Sequence, residues 1–225
     1  PNMARHYGLE GSPGVDIISA CAGDRFFEAP LVPPPAASRV RFIGVGNLVR
    51  WKNWHLLLEA WARVRPELRQ RGCFELWGPT QEDAEGRRYA AELCARRDQL
   101  GLQGMIEFRG PTNAVAEKLI AADWFVLPST NEPCSVALME ALALGRPALV
   151  SASGGNVDIV QAGANGRHFL PGDPADLAVQ LEGILRGERV ALDAAGLRES
   201  VRSRSGRSVA AQYGELYQRL SRPGR

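Results

Sequence analysis

The chain has 225 residues, of which 45% are hydrophobic and 23% are charged, and its formal net charge is +2. This composition is typical of one α/β domain, alone or with a small appendage, and it excludes a strong polyelectrolyte partner such as nucleic acid. No run of about 18 apolar residues occurs, so we expect no membrane-spanning helix.

The cysteines and histidines give no metal-binding pattern. The cysteines are far apart and form no C-x-x-C pair, which favours neither a disulfide framework nor a zinc site and fits a reducing cytoplasm. The three histidines are also isolated. We therefore expect no metal and no other cofactor. The residues in question are Cys21, Cys73, Cys94, Cys134, His6, His55 and His168.

Residues 1–38 predict an N-terminal segment followed by a proline-rich interdomain linker. The chain starts at Pro1 without the pattern of a signal peptide, as expected of a chain entered partway. One apolar run covers residues 15–20. The stretch EAPLVPPPAAS at 28–38 contains four prolines, which sustain neither a helix nor an inner strand.

From residue 39 onward, predicted strands alternate with predicted helices. This order predicts right-handed βαβ crossovers, and hence a Rossmann-like open parallel sheet with helices on both faces. The strands are continuous apolar runs, as expected where both faces of a sheet are covered. They are predicted at 40–48, 73–78, 105–110, 123–129, 147–152 and 166–170, and the helices at 53–71, 82–100, 113–122, 135–144, 157–163 and 174–186.

The last part of the chain, 188–225, predicts a bend and a final helix at 209–220. The polar stretch 198–208 is rich in arginine, and we interpret it as a solvated face. A weak contact with a membrane surface is the alternative.

Ligands of an open parallel sheet bind at the carboxyl ends of its strands, where the predicted turns are rich in glycine. The first such turn, after Gly44 and Gly46, has Val49 where a dinucleotide fingerprint needs glycine or alanine, so a dehydrogenase is not favoured. Arg50 and Lys52 follow this turn and are candidates to face a pyrophosphate.

The stretch NEPCSVALMEALALGRPALV has the features of an anion site. Ser135 predicts a helix N-cap, with the amides of Cys134, Ser135 and Val136 open to phosphate oxygens. Glu140 lies inside an apolar helix, where it needs hydrogen-bond donors such as two vicinal ribose hydroxyls. Glu132 precedes the helix. The alternative is that Glu140 is an exposed helix residue and Glu132 a turn residue.

The segment at 128–181 resembles the donor-binding signature of retaining, GT-B type glycosyltransferases of family four. That pattern runs proline-serine, Glu-x7-Glu, Ala-x-Gly-x-Pro-Val, Gly-Gly, an acidic residue, then Asn-Gly. Upstream, RFIGVGNLVRWKNWHLLLEAW resembles the family's first donor-domain strand, basic loop and helix, and IEFRGPTNAVAEKLIAADWFVLPS resembles its base-binding segment. The similarity covers residues 39–187 and extends to the final helix.

The resemblance implies that residues 39–187 are the Rossmann-like donor-binding domain, the C-terminal half of a GT-B fold. Its N-terminal acceptor domain is absent from this sequence and would be its partner. The implied function is the binding of a nucleoside-diphosphate sugar, for retaining transfer of a hexose-type sugar to a glycan or cell-envelope saccharide. Members of this family need no metal. We expect little or no transfer by this piece alone.

The resemblance also implies roles for individual residues. Glu132 would bind donor-sugar hydroxyls near the anomeric carbon, Lys52 would neutralise the leaving phosphate, and Glu140 would bind the ribose. The further donor nucleotide-binding residues are Gly46, Asn47 and Arg50 in the basic loop, Arg109 and Pro111 beside the base, and the amides of Cys134, Ser135 and Val136.

The sequence departs from the family pattern in the basic loop and beyond. Asn47 stands where an arginine is usual, and Arg50 either replaces that charge or points to solvent. Asn53 stands where a glycine is usual, and Asp158 stands where a glutamate is usual. These departures bear on diphosphate affinity. Two alternatives stay open, namely a non-catalytic nucleotide-sugar-binding or interaction module and another GT-B type enzyme such as a nucleotide-sugar epimerase.

Overall fold

The computed structural model describes Gly8 and residues 16–221, so the expectations for Pro1 and His6 lie outside the described residues. Its six strands are β1 (Val40–Val45), β2 (Gly72–Trp77), β3 (Ile106–Gly110), β4 (Trp124–Leu127), β5 (Ala148–Ser151) and β6 (Gly166–Phe169). They form one parallel sheet in the order β3-β2-β1-β4-β5-β6. The direction of winding reverses between β1 and β4, which makes this the topological switch point.

Helices cover both faces of the sheet, as predicted, because right-handed crossovers on either side of the switch point lie on opposite faces. The helices are α1 (Asp24–Glu28), α2 (Trp54–Arg63), α3 (Pro66–Arg69), α4 (Ala84–Gln99), α5 (Val115–Ala121), α6 (Val136–Ala143), α7 (Asn156–Ile159), α8 (Pro174–Leu185), α9 (Ala194–Glu199) and α10 (Gly206–Leu220), with 3-10 turns at Arg50–Lys52 and Arg202–Arg204. On one face α2 and α3 pack on α8. On the other, α1, α5 and α9 pack on α6.

The core lies between the sheet and these helices. Strands β4 and β5 are buried at every position, which explains their unbroken apolar sequences. Helix α2 buries Trp61 edge-on against Phe42 of β1, with ring centroids 5.4 Å apart. Asp173 caps α8, as predicted, by accepting hydrogen bonds from the amides of Ala175 and Asp176.

The single helix predicted at 53–71 is wrong. The structure has two helices, because the backbone is extended at Val64 and Arg65 (ψ 132° and 136°) before Pro66. A proline lacks the N–H of a helix interior and forces the preceding residue out of the α region. The break turns the chain toward β2.

Part of the predicted N-terminal segment belongs to the core. Helix α1 buries Phe26 and Phe27, which are 1% and 4% exposed. Ala22 exchanges backbone hydrogen bonds with Arg204 and Gly206 near the other end of the chain. The sequence did not predict this helix, because five residues with two aromatics are too short a pattern to show a period.

The arginines of the predicted bend are not all solvated. Arg198 is half-buried, and its Nε and Nη2 donate to the carbonyls of Ala143 (2.7 Å) and Ala29 (2.6 Å). Arg204 donates to the carbonyl of Asp158. The solvated-face interpretation is therefore wrong for these two, whereas Arg202 and Arg207 are exposed. No helix within the described residues is long and apolar enough to cross a bilayer.

Candidate functional site

A cleft of about 420 Å³ lies at the carboxyl ends of β1 and β4, at the topological switch point. Its walls are the turn after β1, the 3-10 turn, the loop after β4 and the start of α6. Most of the residues predicted for the site lie in it, which are Gly46, Asn47, Lys52, Glu132, Cys134, Ser135, Val136 and Glu140. Trp51 and Ala137 also line the cleft and were not predicted.

A pair of glycines after β5 holds the loop that carries Glu132. The amide of Gly155 donates to the Glu132 carbonyl at 2.7 Å. A Cβ on Gly155 would lie 2.0 Å from the carbonyl oxygen of Pro133, and one on Gly154 would lie 2.6 Å from that of Glu132. Gly154 also has φ +59°, which favours glycine. The position of Glu132 therefore depends on the absence of side chains at both glycines.

Gly155→Ala is expected to lower the free energy of unfolding by about 2 kcal/mol or more, because the added methyl displaces the Glu132 loop. The matched control is Gly214→Ala in α10, where a Cβ meets no atom within 4 Å. That change is expected to stabilise by about 0.5–1 kcal/mol, through the helix preference of alanine. Urea unfolding of the two variants measures both effects. Equal stability of the two variants would contradict the proposed crowding.

Lys52 and Glu132 bind each other inside the cleft. Lys52 Nζ lies 2.5 Å from Glu132 Oε2, and the side chains are only 11% and 7% exposed. Ser129 Oγ donates to the same carboxylate oxygen at 3.2 Å. The ammonium also lies 4.4 Å from the ring centroid of Trp51. The two predicted catalytic residues therefore lie together, and each neutralises the other in a largely buried position.

Glu140 is half-buried and faces the same cleft from α6. Within the described residues, no group donates a hydrogen bond to its carboxylate. Burial raises the pKa of Glu140 to about 7, and the nearby Arg25 of α1 opposes this rise. The alternative of an exposed helix residue is therefore wrong, and the carboxylate is poised to accept hydrogen bonds from a ligand.

The start of α6 is the third polar feature of the cleft. Ser135 is the N-cap, as predicted, and its Oγ accepts a hydrogen bond from Leu138 at 3.3 Å. Over the described part of the chain, the amides of Ser135, Val136 and Ala137 have no hydrogen-bond acceptor. These N–H groups and the helix dipole favour an anion at this position.

Arg50 does not enter the cleft. Its guanidinium lies 2.5 Å from Glu85 and 2.9 Å from Glu92 of α4, and it stacks on the Tyr89 ring. Asn47 is exposed in the cleft, and its carbonyl accepts a hydrogen bond from the Trp54 indole. The structure therefore does not place Arg50 where it could replace the charge missing at Asn47.

The residues predicted to border the base also lie outside the cleft walls. Arg109 donates to Glu75 of β2 through Nε (3.0 Å) and Nη2 (2.8 Å), and Pro111 is exposed. Arg109 lies near the end of β3, and Pro111 follows this strand. β3 is an outer strand of the sheet, whereas the cleft lies beside β1. The structure thus gathers the predicted ribose and sugar residues and the predicted phosphate residues other than Arg50, and leaves Arg50 and the predicted base residues apart.

The profile of the family Glycosyl transferases group 1 matches residues 34–203, and the chain belongs to this family. The chain is 33% identical over 195 residues to D-inositol 3-phosphate glycosyltransferase of Geodermatophilus obscurus, covering 81% of this chain and 42% of that protein. It is 31% identical over 139 residues to mannosylfructose-phosphate synthase of Agrobacterium fabrum, covering 60% of this chain and 29% of that enzyme. The chain therefore spans less than half the length of these relatives.

Two solved structures show the same fold. Anabaena HepE in complex with UDP and glucose has a TM-score of 0.73 and 23% identity, over 81% of this chain and 49% of that one. Sucrose-phosphate synthase from Thermosynechococcus elongatus has a TM-score of 0.79 and 23% identity, over 97% of this chain and 56% of that one. The GT-B fold class implied by the family resemblance is thereby confirmed for this chain.

Proposed function

We propose that this chain is the donor-binding part of a retaining glycosyltransferase, and that it binds a nucleoside-diphosphate sugar in the cleft beside β1 and β4. The observation that carries the proposal is the grouping of a cation–carboxylate pair, a helix N-terminus and a half-buried carboxylate in one cleft. A nucleoside-diphosphate sugar presents matching groups in sequence, which are sugar hydroxyls, two phosphates and ribose hydroxyls. The HepE complexes with UDP and with UDP-glucose support this class of ligand.

Each group of the donor has a partner in this arrangement. The ribose hydroxyls donate to Glu140, which has no other donor among the described residues. The phosphate oxygens accept hydrogen bonds from the amides of Ser135, Val136 and Ala137. The sugar hydroxyls donate to Glu132, and the Lys52 ammonium then pairs with the phosphate instead of with Glu132.

The proposed reaction depends on charge that develops as the sugar leaves the diphosphate. The bond between the anomeric carbon and the phosphate oxygen breaks, an acceptor hydroxyl oxygen bonds to that carbon and loses its proton, and negative charge grows on the departing nucleoside diphosphate. Lys52 and the amides of α6 stabilise this charge more strongly in the transition state than in the bound donor. Retention of configuration, a hexose-type sugar and a glycan or cell-envelope acceptor belong to the same proposal.

The proposed transfer uses the side chains and amides of the cleft, and no metal. Over residues 16–221, no three His, Cys, Asp or Glu side chains are grouped so that they could hold a metal ion. The metal-free reaction stays a prediction. So do the cytoplasmic location, the membrane-surface contact and the partnership with an N-terminal acceptor domain.

Calorimetric titration of UDP, GDP and ADP tests the binding step. We expect one of the three to bind at micromolar to millimolar concentration and Glu140→Ala to weaken that binding. Arg50→Ala is the matched control, because its guanidinium pairs with Glu85 and Glu92 outside the cleft. If none of the nucleotides bound at millimolar concentration, or if Glu140→Ala bound equally well, the ribose assignment would be wrong.

A non-catalytic nucleotide-sugar-binding module is the second candidate. Among the described residues that line the cleft, Lys52 is the one cation, since Asn47 is uncharged and Arg50 lies elsewhere. The stabilisation of a departing diphosphate is correspondingly smaller. Donor hydrolysis or transfer by the full-length protein distinguishes the two candidates. Donor binding without either reaction would favour the module.

A further inference from the structure

A second cavity, of about 600 Å³, lies at the opposite end of the sheet from the nucleotide cleft. It adjoins Asp123 and Pro147, which immediately precede β4 and β5. Its other walls come from residues 31–34 and from residues 189–194 before and at the start of α9. Its volume is in the range of about 300–1,000 Å³ that is common for small-molecule sites. None of the residues that line it lines the nucleotide cleft.

The cavity contains an arginine whose hydrogen-bonding capacity is largely unused. Arg146 is only 3% exposed, and its Nη2 donates to the Val32 carbonyl at 2.6 Å. Its Nε is buried and has no partner among the described residues. A guanidinium offers five N–H donors, and burial lowers the pKa of Arg146 from its ordinary value. A buried charge of this kind is costly unless an anion pairs with it.

The carboxylates that line the cavity are already engaged elsewhere. Asp123 accepts from the amide of Arg41 at 2.7 Å and from its Nε at 3.3 Å. Asp193 caps α9 by accepting from the Gly196 amide at 2.8 Å. Arg189 adds a second positive charge to the wall. The cavity lining therefore has two arginines and two aspartates, but neither aspartate accepts a hydrogen bond from Arg146, on which Asp123 acts only through its charge.

The rest of the wall is apolar and partly uncovered. Val32 and Leu192 are 42% and 36% exposed, although large apolar side chains are usually buried. Trp124 and Leu197 continue the same surface into the core. An apolar surface beside a cation with few hydrogen-bond partners suits a ligand with an anionic head and an apolar body.

We infer that this cavity binds a small amphipathic anion, whose oxyanion head pairs with Arg146 and whose apolar body lies on Val32 and Leu192. Carboxylate and phosphate heads both fit a guanidinium, since each offers two oxygens to its parallel N–H groups. The inference is independent of the proposed donor binding, because it rests on residues at the other end of the sheet.

The test uses 1-anilinonaphthalene-8-sulfonate, a sulfonate on an aromatic body whose fluorescence rises in apolar sites. We expect Arg146→Met to weaken its binding at least about tenfold, as for the loss of a charge-assisted hydrogen bond. The uncharged analogue N-phenyl-1-naphthylamine should bind both proteins equally. The matched control is Arg63→Met, because Arg63 is exposed and pairs with Glu59 on α2. Equal binding of the sulfonate to wild type and Arg146→Met would overturn the inference.

Two further measurements separate a ligand-binding arginine from a structural one. The urea midpoint of Arg146→Met should be unchanged or raised, because an apolar side chain replaces an underpaired buried charge. A clearly lowered midpoint would overturn the inference. A second variant keeps Arg146: Leu192→Glu places a negative charge at the rim and should weaken sulfonate binding at least about tenfold, and unchanged binding by this variant would also overturn the inference.

Competition identifies the head group. Nonanoate and octyl phosphate have the same octyl chain and differ in the anion that they present. Displacement of the fluorescent sulfonate by either supports the inference and shows which head is preferred. Displacement by neither would contradict it.

Discussion

Replacing Glu140 by glutamine is expected to weaken nucleoside diphosphate binding by roughly tenfold to a hundredfold. Hydrogen bonds to a charged acceptor contribute about 1.5–3 kcal/mol, and each 1.4 kcal/mol corresponds to about a tenfold change. Glutamine keeps the shape of the side chain and loses its charge, so the packing of α6 is preserved. Calorimetric titration of the nucleotide that binds best measures the effect.

The affinity should also depend on pH through the same residue. Because the pKa of Glu140 is raised to about 7 in the empty protein, the carboxylate that accepts ribose hydroxyls is fully ionised only above that pH. Affinity is therefore expected to rise between about pH 6 and pH 8 in the wild type. Glu140→Gln reports any contribution from the titrating phosphates. An equal pH dependence in both proteins would contradict the role of Glu140.

The stability of the empty protein gives a second measurement of Glu140. Its folded pKa of about 7 lies above the ordinary value of 4.5, so burial disfavours the charged form. The wild type should lose stability as the pH rises from about 4.5 to about 7, by at most about 3 kcal/mol. Glu140→Gln should lack this loss and be the more stable protein at about pH 8.

Urea unfolding at about pH 5 and pH 8 measures this change. The control is Glu67→Gln, because the Glu67 side chain is 67% exposed. A stability difference between Glu140→Gln and the wild type that stays the same at both pH values would contradict the assignment.

Replacing Lys52 by methionine is expected to lower the free energy of unfolding by about 3 kcal/mol. The change leaves the Glu132 carboxylate buried with Ser129 as its remaining side-chain donor. Removing one partner of a buried ion pair typically costs about 3–5 kcal/mol, and the residual exposure of this pair favours the lower end. Nucleotide binding should weaken as well, because the cleft then has no cation among its described lining residues.

A double-mutant cycle separates the pair from its surroundings. The double variant Lys52→Met/Glu132→Gln should recover most of the lost stability, since neither charge then lacks its partner. Urea unfolding of the four proteins gives the coupling free energy. Strictly additive effects would show that the two side chains do not stabilise each other.

Local patterns in the sequence predicted the sheet and the start of α6. A continuous apolar run depends on neighbouring residues, and an N-cap such as Ser135 depends on the three residues that follow it. The apolar surroundings of Glu140 indicated a carboxylate that needs donors from outside its helix, and the structure places it half-buried in the cleft. These features could be predicted because each depends on residues that lie close together in the sequence.

Arg50 and Arg109 were predicted to bind the donor nucleotide, whereas the structure places both outside the cleft. The reason here is a different one. The partners of Arg50 lie on α4, where Glu85 and Glu92 are 35 and 42 residues away. Arg109 meets Glu75 on a neighbouring strand. Nothing near an arginine in the sequence shows which carboxylate will reach it. Two acidic residues on the same face of a helix, such as Glu85 and Glu92, bind a guanidinium as well as a phosphate does.

Local patterns were thus enough to predict the parallel α/β sheet, the family, and Glu132 and Glu140 as candidate residues. The contact between Lys52 and Glu132, which are 80 residues apart, and the burial of Arg146 beside an open cavity are visible only in the folded chain. Secondary structure depends on residues close together in the sequence, whereas the pairing of charges depends on which distant elements the sheet brings together.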